Sequence, residues 1–199
     1  MSLEDIDAAL TLVRRKTRPK LKNQKKQRQE HNQEQSLKLS YFRAGAAAIN
    51  RYGRLWISGG TDKDNNVLST IETIGFTGQA AVGIKLPVPL THHCMVKLNP
   101  DLALIIGGFD GTNVVSQTHF FEMQDGDRKF TDGPPLSQAK RGMACEILKT
   151  DLAQYLIVAG GDTGNSEVAA EDLTSTKFAT TEYLLIDNPT QWNIGRFKA

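Results

Sequence analysis

The 199-residue sequence predicts an all-β chain of about three four-stranded antiparallel units behind a basic N-terminal extension. Three observations carry this. First, an apolar run ends on a glycine pair three times, in "LWISGG" at Gly60, "LALIIGG" at Gly108 and "YLIVAGG" at Gly161. Second, the pairs are separated by 48 and then 53 residues, a repeat long enough for four short strands. Third, each apolar run is flanked by further strand-like segments in the same order, so the repeat covers whole units.

The extension, residues 1–40, comes first. Ser2 is placed to cap a short helix, with Leu3, Ile6, Leu10 and Val13 on one face, acidic residues in its first turns and Arg14, Arg15 and Lys16 in its last. Pro19 ends it, and the polar, glutamine-rich "RPKLKNQKKQRQEHNQEQS" has little to bury and reads as disordered. Residues 1–30 hold nine Lys/Arg against four Asp/Glu, which leaves the remainder of the chain net acidic. Arg14, Arg15, Lys16, Lys20, Lys22, Lys25 and Lys26 are therefore candidates for nuclear localisation or for contact with nucleic-acid phosphates. No aromatic residue is interleaved before Tyr41 to stack on bases.

From residue 41 to 199 the units follow. A first strand recurs in "RAGAAAI", "THHCMVKL" and "KRGMACEIL", before each glycine-terminated run. Polar loops follow the glycine pairs, and then come third strands in "TIETIGF", "QTHFFEM" and "TTEYLLI". A weaker fourth segment leads into proline turns at "KLPVPLT" and "DGPPLSQAK". Gly59, Gly60, Gly107, Gly108, Gly160 and Gly161 are expected to be structural: a side chain at the end of a crowded inner strand would strike the neighbouring unit. A phosphate-binding role would require a following lysine leading into a helix, and neither "GGTDKDNN" nor "GGFDGTNV" leads into one. Cys94 and Cys145 fall in matching segments of successive units, outside any CxxC or zinc spacing, and are expected to be reduced and buried.

The period, the glycine pairs, the Tyr183 and Trp192 of the third unit, and the proline turn before an arginine together resemble the kelch family. The likeness spans residues 41–199; Phe130 and Ile84 or Val82 stand where the first two units would carry the tryptophan. It implies a β-propeller of about three blades. Because propellers close with about four to eight blades, it also implies a segment of a longer propeller, or a ring completed by another copy or partner.

The resemblance further implies a non-enzymatic scaffold that binds another protein through the loops after strands two and four. Meander topology gathers there Arg43, Asp62, Asp64, His92, Asp110, Arg141, Asp162 and Asn165, with the glycine-following aspartates doubling as ordinary turn formers. A second reading makes the basic arm the active part of a nuclear or RNA-associated protein. A minor one is a kelch-type enzyme, an oxidase or a sugar epimerase. His31, His92, His93 and His119 have no ligand spacing, so neither metal nor cofactor is expected. No segment approaches the ~18 apolar residues of a membrane span, and the expected location is intracellular, cytoplasmic or nuclear.

Overall fold

The computed structural model describes residues 38–75, 80–124, 127–164 and 181–195, all within one compact unit running from Leu37 to Ala199. The extension to residue 37, with its seven basic candidates, and Asn165 lie outside the described residues.

Among the described residues, twelve strands form three four-stranded antiparallel sheets, each a meander in chain order. The first holds β1 (Ala47–Arg51), β2 (Arg54–Ser58), β3 (Thr70–Ile74) and β4 (Ala80–Lys85). The second holds β5 (Cys94–Asn99), β6 (Leu102–Phe109), β7 (Val114–Gln124) and β8 (Asp127–Asp132). The third holds β9 (Ala144–Lys149), β10 (Gln154–Ala159), β11 (Thr181–Leu185) and β12 (Asn193–Gly195). Among the described residues there is no helix, so none is long and apolar enough to cross a membrane.

Strand alternation gives each sheet two faces, and the sheets use them serially. Ile49 and Trp56 of the first sheet pack on Met95, Ile105 and Phe121 of the second. The opposite face of the second, Val96, Leu104 and Ile106, packs on Leu156, Val158 and Leu184 of the third. The first strands lie side by side, β1 beside β5 and β5 beside β9. Phe130, at the expected tryptophan position, stacks on Phe121 with ring centroids 4.6 Å apart, filling that slot with apolar area.

The glycine pairs lie where the units meet. Gly60 N donates to Leu90 O and Gly108 N to Lys140 O, both at 2.8 Å, so the second glycine of the first two pairs is bonded to the start of the next unit. A Cβ on Gly107 would stand 2.6 Å from that same Lys140 oxygen, and one on Gly59 would collide with Leu90 O. At Gly59 and Gly107 a side chain would thus strike the neighbouring unit's backbone, as expected, whereas at Gly60, Gly108 and Gly161 it would meet the entry to the first strand of the same unit, at Ala44 O, Thr91 O and Arg141 O.

The cysteines correct the expectation of reduced thiols: Cys94 and Cys145 form a disulfide, with Cα atoms 6.2 Å apart. The repeat explains why. Bridges at Thr91 and Arg141 set the offset between units two and three at 50 residues, which aligns Cys94 with Ala144 rather than with Cys145. The one-residue difference puts the two side chains on opposite faces of neighbouring strands, where they face each other.

Candidate functional site

The candidate site is the end of the sheets where the loops after the second strands meet the segments entering the first strands. Those entries are tied together. Ala44, Thr91 and Arg141 form single β-bridges to Thr61, Phe109 and Asp162. The residues that follow, Gly45, His92 and Gly142, all adopt left-handed backbone angles, with φ of 64°, 52° and 65°. His92 N donates to Gly45 O at 2.7 Å, and Gly142 N donates to His92 O at 2.8 Å, so one hydrogen-bonded line crosses all three units. His92 therefore fills a backbone position that glycine occupies in the other two units, and its ring is exposed.

The aspartates build the loops. Asp62 Oδ1 accepts from the backbone N–H of Asp64 and Asn66, Asp110 Oδ1 from those of Thr112 and Asn113, and Asp162 Oδ1 from Gly164. This is the turn chemistry that short carboxylates supply. The Asn66 side chain, then its backbone N–H, hold the Asp62 carboxyl below the usual carboxylate range. Asp64 projects to solvent beside Lys63.

Two of the rim candidates stand elsewhere in role. The Arg43 side chain is 1% exposed and donates to Glu72, Gly59 O and Thr70, so it is internal structure and presents no charge on the rim. Arg141 lies over the Phe109 ring at 5.2 Å and approaches Asp162 at 3.5 Å, joining the second unit to the third. The rim that faces solvent is thus Asp64 and His92, with Asp62, Asp110 and Asp162 half-buried beneath.

Behind the rim lies a repeated buried ion pair with no local sequence signature. Glu72 on β3 pairs with Arg43, and the matching Glu182 on β11 pairs with Lys140, Nζ 2.8 Å from Oε1 though not aligned for a hydrogen bond. Each glutamate also accepts from a backbone N–H, of Ser40 or of Ser137. The second unit replaces this arrangement with buried Leu90, and its His119, at the glutamate position, meets Asp132 instead.

His92 and His93 diverge as strand alternation requires. His93 is buried, with Nε2 2.8 Å from Ser58 Oγ. Burial, with a smaller effect from His92, pushes its pKa down from 6.5 to about 4. Because the folded value lies below the unfolded one, the unfolded chain binds the extra proton between them. Stability is therefore expected to be full above pH 6.5 and to fall by about 3 kcal/mol as pH drops towards 4. Urea midpoints from pH 7 to 4 for the wild type and His93→Gln measure this; an equally steep loss in the variant would assign the slope to other groups.

Compared with known proteins, the chain matches no family model and no curated protein sequence.

Proposed function

We propose that residues 41–199 are consecutive blades of a kelch-type β-propeller and that they act as a non-enzymatic scaffold, binding another protein through the Asp64–His92 rim. The blade reading draws on three meander sheets in series, first strands side by side, with the glycine pairs at their junctions. The observation that carries the binding reading is the hydrogen-bonded line through Gly45, His92 and Gly142. It fixes the loops of different blades relative to one another, so the charges they carry form one rigid surface. A preorganised surface loses little ordering entropy when a partner docks.

The test compares proteins retained from cell extract by the wild type, by Asp64→Ala/His92→Gly, and by Tyr52→Ala/Leu152→Ala at the opposite end. These positions are solvent-exposed, and glycine suits the backbone at residue 92. A partner of the rim is expected to bind at least tenfold more weakly to the first variant, about 1.4 kcal/mol, and unchanged to the second. Retention that depends on neither variant, or only on the second, would overturn the assignment.

A further inference from the structure

The first and second sheets pack tightly around Trp56 and Phe121 but leave a cavity of about 510 Å³ beside them. Trp56 of β2, Ile71 and Thr73 of β3, and Ala81 and Ile84 of β4 wall it on the first sheet, and Arg128 of β8 reaches it from the second. Both walls therefore belong to an interior junction of the chain. The repeat shows why the space exists. Across the first sheet Trp56 pairs with Thr73 and Thr73 with Ala81, whereas the matching row of the second sheet is Leu104, Phe120 and Thr131. Phe120 packs into the next junction, so the residue that fills this position there is replaced by a threonine here. Trp56 takes up part of that volume, and the short side chains beyond it leave the rest open.

The mouth of the cavity is basic, and in this junction alone of the two. Arg51 and Arg54 pair across the β1–β2 turn and line the cavity, while the matching pair of the second sheet is the uncharged Asn99 and Leu102. Arg51 is fixed by what it bonds: Nε donates to Pro100 O at 2.9 Å and Nη2 to Asp101 Oδ1 at 2.8 Å. Its guanidinium stands 5.8 Å from the Trp56 ring centre, and that of Arg128 stands 5.3 Å from the same centre. Arg54 and Arg128 are exposed, and among the described residues neither has a carboxylate partner. The floor is of the opposite character, with Ile71 fully buried and Ile84 half-buried.

We propose that this cavity binds a small organic acid, its apolar body seated beside Trp56 between the two sheets and its carboxylate held by Arg54 and Arg128. A guanidinium fork matches the two oxygens of a carboxylate and also stacks on aromatic rings, so arginines placed over an indole can hold the acid and the ring together. The volume lies within the roughly 300–1,000 Å³ of small-molecule sites, and an apolar lining with a few convergent polar groups is their usual composition. Arg51, already paired with Asp101, serves to position Trp56. The cavity opens at the β1–β2 turn, at the end of the sheets opposite the rim, so it can fail without the scaffold reading and survive without it.

The probe is β-naphthoate, titrated into the full chain while NMR follows the Trp56 indole N–H, with β-naphthamide as the neutral isostere and inorganic phosphate as a bare anion. Saturable one-to-one binding of the acid is expected, at least about tenfold tighter than that of the amide. Arg54→Gln/Arg128→Gln, at exposed positions, should weaken it at least about tenfold with the urea midpoint unchanged. Thr73→Phe, which restores the residue type of the second sheet, should abolish it by filling the cavity. Should that variant fail to fold, the arginine pair decides. No saturable binding, equal binding of acid and amide, displacement by phosphate at the acid's own concentrations, or full affinity in either folded variant would each overturn the assignment.

Discussion

Replacing Gly108 by valine is expected to leave the domain largely unfolded at 25 °C, with a loss of more than about 4 kcal/mol out of the 5–15 typical of a domain. Two costs add. The backbone at Gly108 has φ 107°, a region that a β-branched residue enters only at about 1–3 kcal/mol. A Cβ there would also lie 2.7 Å from His93 Cβ and 2.8 Å from Thr91 O. Neither neighbour is free to retreat. Thr91 O accepts from Phe109 N at 2.9 Å, and Gly108 N is itself held by Lys140 O. Gly142 supplies the comparison, since its φ is 65° but its Cβ direction is open. Gly142→Val should pay the backbone strain alone. Urea unfolding of both variants separates the terms, and equal losses would mean that the close approach to Thr91 and His93 contributes nothing.

Legibility followed the range of the interaction. The glycine pairs could be read because left-handed backbone at a strand end is a local demand with a local answer, and all six have φ between 54° and 107°. The third strands are found where their apolar texture put them, at Thr70, within Val114–Gln124 and at Thr181. The disulfide was missed by a single residue. A glycine-to-glycine ruler of 53 residues aligns the cysteines only loosely, and which face each occupies depends on parity, fixed by the 50-residue offset at the first strands. The buried ion pairs were missed for a different reason. Arg43 and Glu72 are 29 residues apart and belong to different elements, so no periodicity links them. A signal existed across units: a glutamate in "TIETI" and "TTEYL", with a cation before "AG" and "RG", and neither of them in the middle unit. Reading Arg43 as a rim charge took the right loop and the wrong direction for its side chain.

That middle unit turns the ion pair into an experiment. Lys140→Met alone should destabilise the chain by about 3–5 kcal/mol, because it strands the Glu182 carboxylate in the interior with only the Ser137 N–H to satisfy it. Lys140 is fully buried and Glu182 1% exposed, so water cannot take over the missing charge. Removing both charges, as Lys140→Met/Glu182→Leu, should recover most of the loss, since two well-packed apolar side chains often equal or exceed a buried pair. The chain already contains that solution: at the position of Lys140 the second unit carries Leu90, 2% exposed, inside an apolar cluster. Glu182→Leu alone should be comparably harmful, leaving a buried ammonium. The double-mutant cycle, measured by denaturant unfolding at pH 7, should therefore show a coupling of at least about 2 kcal/mol. Additive single losses would mean that the two side chains do not sense one another, and that Glu182 is held by the Ser137 amide while Lys140 serves only as packing.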